Sequence, residues 1–228
     1  MLKKVLLSLL CSVFASSFAF AGFGLSVKGG FSGGDSNFDK IDKVTVPNGS
    51  KSYTNNNLTW NISAYYEKSG LFNLGEQNSF GAKIGYAKHL KSDIKYRDNT
   101  IDFTLKTNAE AFSIPVIVYY KYNLSNRWGF YGGLGASYVS AEFESSIHAG
   151  GLNQSKNEDK TVIMPEFEFG AEFALSKVIS FFFDMGYSFN GKVESKEVFF
   201  ALVPGKKEYF YRDYSGFTTN LGVKINLF

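Results

Sequence analysis

The sequence predicts an all-β protein, an eight-stranded antiparallel up-and-down transmembrane β-barrel. Three features carry that expectation: strands with one aromatic and one small polar face, a leader for export, and connections that alternate short and long. The clearest strand shows Ile179, Phe181, Phe183, Met185, Tyr187 and Phe189 alternating with Ser180, Phe182, Asp184, Gly186 and Ser188. Period two puts successive side chains on opposite faces of a sheet. A protein in water turns its large apolar residues inward, whereas a small polar inside with an aromatic outside belongs in lipid.

Residues 1–21 read as a secretory signal peptide and residues 22–228 as the outer-membrane barrel domain. Lys3 and Lys4 supply the positive start, the run from Val5 to Phe14 the apolar stretch, and Ala19-Phe20-Ala21 a small-x-small cleavage site. The apolar stretch is shorter than the roughly 20 residues of a membrane helix. Cys11, the one cysteine, is expected to leave with the leader. Of the 24 Lys and Arg, 22 remain without Lys3 and Lys4, against 21 Asp and Glu, so composition indicates no nucleic acid and no anionic surface as partner. No later apolar run is long enough for a membrane helix, and a sheet that crosses lipid must close on itself.

The first strand, about 22–32, sets Phe23, Leu25, Val27 and Phe31 against Ser26, Lys28 and Gly30. The second, about 57–68, sets Leu58, Trp60, Ile62, Ala64 and Tyr66 against Thr59, Asn61, Ser63 and Glu67. The third, about 79–90, opposes Phe80, Ala82, Ile84 and Tyr86 to Gly81, Lys83, Gly85 and His89. The fourth, about 111–122, carries Phe112, Ile114, Val116, Val118, Tyr120 and Tyr122; the fifth, about 128–140, carries Trp128, Phe130, Leu134, Ala136 and Tyr138. In the sixth, about 164–175, Phe167, Phe169, Ala171 and Phe173 oppose Glu166, Glu168, Gly170 and Glu172. The seventh, about 177–190, is the strand described first, and the eighth, about 214–228, opposes Phe217, Thr219, Leu221, Val223, Ile225 and Leu227 to Thr218, Asn220, Gly222, Lys224 and Asn226. These lengths suit the roughly 9–11 residues a tilted strand needs to cross hydrocarbon. Pro115 and Pro165 fall inside strands, where a bulge is expected at each. A bulge at Pro115 would leave the faces of Ile117 and Tyr119 open.

The links 69–78, 123–127 and 176–177 are short, while 33–56, 91–110, 141–163 and 191–213 are long. That alternation is the arrangement of short periplasmic turns and long extracellular loops. Turn residues within the long links, Arg97-Asp98-Asn99, Pro204-Gly205-Lys206-Lys207 and Pro47-Asn48-Gly49-Ser50, predict that several strands continue as paired ribbons above the membrane. The segment 149–160, rich in Gly, Asn, Ser and charge, reads as a mobile tip.

These features resemble the small eight-stranded outer-membrane barrels of Gram-negative bacteria, of the OmpA transmembrane-domain and OmpX type. The resemblance rests on the leader, on Tyr131-Gly132-Gly133-Leu134-Gly135-Ala136, and on terminal Phe228 after the alternating Leu221, Val223, Ile225 and Leu227. It implies a bacterial outer-membrane protein, a monomer in contact with membrane lipid and lipopolysaccharide. It also implies that Phe228 is part of the signal read by the barrel-assembly machinery, although Phe228 lies one step out of phase with Leu227. No peptidoglycan-binding domain of the kind that larger members carry is expected after the barrel.

On these phases Lys28, Lys83, Lys224, Glu168, Glu172 and Asp184 point into the lumen at similar depth, and mutual pairing is expected because an unpaired charge there is costly. A lumen of eight strands is only wide enough for side chains to fill. A structural plug of ion pairs is the favoured reading, and a gated pore in which pairs exchange partners is the alternative. Glu168 and Glu172 lie four apart, roughly 13 Å along a strand, too far for joint work on one bond. His89 faces the lumen near the outer rim and His148 sits in a loop, with neither placed at metal-ligand spacing. No Ser-His-acid grouping is visible, so neither enzymatic activity, metal nor cofactor is expected. Phe23, Phe80, Tyr122, Trp128 and Phe173 fall at the periplasmic edge and Trp60, Phe112 and Tyr138 at the outer edge, as interface girdles do. The expected role is a plugged outer-membrane scaffold whose exposed ribbons serve adhesion, another external surface partner, or envelope integrity. Alternatives are a narrow channel for small solutes or hydrophobic compounds, and a secreted lipocalin-like carrier.

Overall fold

Alternating side chains become strand along almost the whole described chain. The computed structural model describes residues 22–36, 49–54, 56–71, 74–98, 100, 102–203 and 206–227. The expected leader, the turn residues Pro47 and Asn48, and Phe228 lie outside them. In chain order the strands are β1 (Gly22–Ser32), β2 (Asp35–Ser36), β3 (Gly49–Thr54), β4 (Leu58–Ser69), β5 (Asn78–Asp98) and β6 (Phe103–Asn123). They continue as β7 (Trp128–Ala149), β8 (Leu152–Ala174), β9 (Ile179–Ser188), β10 (Lys192–Val203), β11 (Lys206–Asp213) and β12 (Gly216–Asn226). The sequence β1-β4-β5-β6-β7-β8-β9-β12 runs through antiparallel neighbours, and β12 pairs back onto β1, which closes an eight-stranded ring.

The wall is uneven. β1, β4, β9 and β12 have 11, 12, 10 and 11 residues, about one membrane crossing. β5, β6, β7 and β8 have 21, 21, 22 and 23 residues and rise well beyond it. Their lower halves carry the expected phases: Val118 and Leu134 are 62% and 68% exposed on the outside, while Ile117 and Tyr119 are buried inside. Aromatic rings gather at two levels of the exterior. Trp60, Tyr86 and Phe112 form a chain of ring contacts at 5.8 and 5.7 Å towards the outer edge. Phe80 with Tyr120, at 5.3 Å, and Trp128 with Phe173, at 4.9 Å, do so towards the other edge.

Two sequence expectations are corrected. Neither proline makes a bulge. Pro115 pairs with Ser137 and Pro165 with Ala136 in unbroken register, and β5 faces β6 in the same register on both sides of Pro115, at Ile84↔Val116 and Ala87↔Ser113. Pro165 sits where β9 runs out, and its carbonyl accepts from the Phe189 amide at 2.9 Å, so its missing N–H falls at the end of that ladder. The bulge lies instead between His89 and Ser92 of β5. There the inward face moves from Ala87 and His89 to Ser92 and Ile94.

The expected continuation of strands as paired ribbons is found: link 91–110 forms the upper halves of β5–β6, and link 141–163 those of β7–β8. The supposed mobile tip is a hairpin as well: Ala149 pairs with Leu152 around Gly150 (φ 53°) and Gly151 (φ 86°). Two consecutive positive φ values match a tight hairpin turn, which the twist of the flanking strands favours and which glycine adopts without strain.

Above the membrane level these tall strands enclose an apolar core. Ile94, Ala109, Ala111, Val139, Ala141, Phe143, Met164, Val193, Phe210 and Tyr214 pack together, and Phe143 and Phe210 are 0% exposed. Val193 and Phe210 come from the β10–β11 hairpin, which leans against the tall wall and is fastened there by Ser195 and the Lys196 amide, both donating to Glu158. β2 adds a short third strand through Ser36↔Arg212 and Asp35↔Asp213.

Candidate functional site

The lumen collects the inward residues of eight strands, and its charged groups fall into two tiers. In the upper tier the Lys28 ammonium donates to Asp184 at 3.0 Å and lies 3.7 Å from Glu168, while Lys83 pairs with Glu168. Asn220 donates to the other Asp184 oxygen at 2.6 Å. In the lower tier Lys224 contacts Glu67 at 2.8 Å and Glu172 at 3.2 Å, and Lys121 contacts the same two carboxylates at 3.4 and 3.0 Å. Tyr119 donates to Glu67 at 3.2 Å. Each lower carboxylate therefore faces two ammonium groups and each ammonium two carboxylates.

The structure thus brings Lys28, Lys83, Glu168 and Asp184 together and places Glu172 and Lys224 in a separate tier with Glu67 and Lys121. The six sequence candidates do not share one depth, because Glu168 and Glu172 are four residues apart on β8 and each anchors its own tier. Sequence reasoning left out Glu67 and Lys121. Glu67 was visible on the polar face of its strand. Lys121 was visible once Ile117 and Tyr119 are put inside, since it shares their parity.

Tyr65, Tyr119, Tyr131 and Phe182 sit between the tiers and leave a cavity of about 40 Å³. The ring of Tyr65 lies 4.1 Å from the Lys224 ammonium, a cation–π contact. These rings fit only because neighbouring strands offer glycine: a Cβ at Gly81 would collide with Tyr119, and one at Gly170 with Tyr131. Above the upper tier a polar cavity of about 80 Å³ is lined by Asn61, Ser63, Ser113 and Ser137. Glu166 borders it and accepts from Ser137 at 2.9 Å. His89 closes the top, 3.2 Å from the Ser113 hydroxyl and edge-on to Tyr214 at 5.1 Å. The apolar core then begins with Tyr214 and Met164.

His148 lies outside the lumen, near the tip of the β7–β8 hairpin. Its Nδ1 is 2.5 Å from Asn153 Oδ1 and its Nε2 is 3.4 Å from Asp102 at the turn between β5 and β6. Those two hydrogen bonds, the Asn153 one first, favour the doubly protonated ring and raise its pKa. Among the described residues no group of three or more His, Cys, Asp and Glu stands where it could hold a metal ion.

The sequence profile described as an outer membrane protein beta-barrel domain matches residues 5–226. The chain belongs to that family. It is an outer-membrane β-barrel protein. No curated protein matches it. Among solved structures, neisserial surface protein A is 16% identical, with 91% of this chain and 99% of that one covered and a TM-score of 0.45. Ail, the attachment invasion locus protein of Yersinia pestis, is 11% identical over 91% and 99%, with a TM-score of 0.41. The outer membrane protein OprG of Pseudomonas aeruginosa is 10% identical over 91% and 95%, with a TM-score of 0.49. In this outer-membrane barrel the two exposed aromatic levels bound the lipid-facing band, and the tall ends of β5–β8 with β10–β11 form a head beyond one of them.

Proposed function

We propose that the protein is a non-enzymatic, monomeric scaffold that holds a folded head above the outer membrane for binding at the cell surface. The observation that carries this reading is double closure. Ion pairs and rings fill the lumen in layers, and a packed apolar core seals its outer end. A channel needs a continuous water column, whereas here the cavities of about 40 and 80 Å³ are separated by the Lys83–Glu168 pair. The head, by contrast, presents the outer faces of four long strands on a rigid backing, which favours binding because little order is lost on contact. Membrane lipid, lipopolysaccharide and the assembly machinery are its partners on this reading, along with a surface ligand. Planar-bilayer recording of the purified protein tests it. Rare, small openings are expected, and steady large conductance would replace the scaffold with a channel.

A further inference from the structure

We infer that Lys95, Arg97 and Lys106, on the outer face of the β5–β6 ribbon, form a binding site for phosphate or sulfate groups carried on a glycan. Lys95 and Lys106 are direct cross-strand partners, and Arg97 is paired with Thr104 one outward step higher. All three cations are exposed. Directly opposed residues have Cα atoms roughly 5 Å apart and alternate residues of a strand roughly 7 Å, so the three charges form a compact triangle. Like charges placed directly opposite destabilise a strand pair. A salt bridge could offset that cost, but among the described residues none includes Lys95, Arg97 or Lys106. The chain as a whole is near neutral, with a net charge of +3, so this concentration is local.

The surroundings fit a sugar-borne anion. Continuing the register across the sheet, the Lys95 row runs through Ser52 and Lys106 to Ser146 and Ser155. The Arg97 row runs through Ser50 and Thr104 to His148 and Asn153. Cations and hydroxyls thus share one pad on the outer face, suited to anionic groups and the hydroxyls between them. Acidic residues border the pad without entering it: Asp93 and Glu144 lie one row below, and Asp102 is engaged by His148. The pad is preformed, because Ile94, Ala109 and Phe143 fill the space behind it. Lys106 stands six residues beyond Phe112 of the outer aromatic level, on the order of 15 Å higher along a tilted strand. That height sets it among saccharides rather than lipid.

The site deepens the surface-binding role and rests on it. The test uses the whole barrel in nanodiscs, with dextran sulfate, a phosphorylated core oligosaccharide from lipopolysaccharide, and neutral dextran as probes. Wild type should bind a charged probe and not the neutral one, with affinity that falls as salt rises. The triple variant Lys95→Gln, Arg97→Gln, Lys106→Gln should lose at least tenfold in affinity. A control lacking three distant cations (Lys68→Gln, Arg127→Gln, Lys177→Gln) should keep it. Heat-modifiable gel migration verifies that each variant is folded. Binding of the phosphorylated oligosaccharide alone places the ligand in the cell's own lipopolysaccharide, and binding of dextran sulfate as well places it outside. Equal affinity of wild type and triple variant, equal loss in the control, or binding of neither charged probe overturns the site. A conducting wild type that still depends on the triple for binding would defeat the scaffold and leave the site standing.

Discussion

Along β7 one backbone carries two opposite patterns. From Trp128 to Tyr138 the outward residues include Trp128, Phe130, Leu134 and Tyr138, and the inward ones Gly129, Tyr131, Gly133, Gly135 and Ser137. From Val139 onward the inward residues are Val139, Ala141 and Phe143, and the outward ones Ser140, Glu142 and Glu144. No bulge separates the halves, because the pairing of β7 with β6 and β8 runs through without a shift. What changes is the solvent. In lipid the outside must be apolar, and the small lumen takes what remains. In water the hydrophobic effect reverses the assignment and the inside becomes a core. The two regions are therefore held by different forces, ion pairs and rings below and apolar packing above.

That difference yields graded expectations. The largest effect should come from Glu67→Gln with Glu172→Gln, which leaves Lys121 and Lys224 without the carboxylates that hold them. Removing one side of a buried pair costs about 3–5 kcal/mol, so the urea midpoint of refolding into vesicles should fall sharply and bilayer leakage should rise. Unchanged stability and conductance would show that the lower tier does not close the lumen. Next, Phe143→Ala in the head should cost about 3–5 kcal/mol, as cavities in aqueous cores do. Phe183→Ala, facing lipid tails that fill the gap, should cost much less; equal costs in the same refolding assay would erase the contrast between regions.

Phe183→Arg should destabilise by about 2–4 kcal/mol, as an arginine near the bilayer midplane does. Ser155→Arg, on the watered face of β8, should stay within about 0.5 kcal/mol. The effect of Gly151→Val should be smaller than that of Phe183→Arg. At φ 86° a β-branched residue is expected to lose about 1–2 kcal/mol, read as faster amide exchange confined to the β7–β8 hairpin. The smallest effect concerns His148. Its folded pKa is raised, so its contact with Asp102 contributes fully below the unfolded value of about 6.5. That contribution fades as pH rises through the folded pKa. Protection of the two hairpin tips, taken relative to intrinsic amide exchange at each pH, should fall over that range in wild type and stay level in His148→Ala.

The same reversal explains what could be read from sequence. The membrane strands were legible because each pairs a large aromatic face with a small polar one, as in Phe181, Phe183 and Tyr187 against Ser180, Asp184 and Ser188. The head strands alternate just as regularly, but Val139 and Phe143 fall on the parity that had been polar, so the outward stripe ends at Tyr138 and a loop is read. Lys121 was hidden by Pro115, which argued for a change of phase that the ladder avoids by skipping a pair. The separation of Glu168 from Glu172 was legible along β8, but which lysine joins which tier was hidden, because depth counted along a strand ignores the offsets between neighbours. Phe182 already stood on the inward face, but Tyr65, Tyr119 and Tyr131 were unexpected in a lumen read as small and polar, and only the facing glycines make room for these rings.

The seam between β1 and β12 bears on how the barrel forms over time. It joins Ser26 to Lys224 and Phe31 to Thr219, residues almost a whole chain apart, whereas β7 meets β8 across Gly150 and Gly151. Closing so long a loop carries an entropy cost that hairpins avoid, so the seam belongs among the late events of folding. Until it shuts, two rows of amides and carbonyls stand open along the edges of a sheet with a lipid-facing exterior. The vulnerable species is thus a nearly finished sheet, and the rate at which its two ends meet governs how long it stays exposed to aggregation.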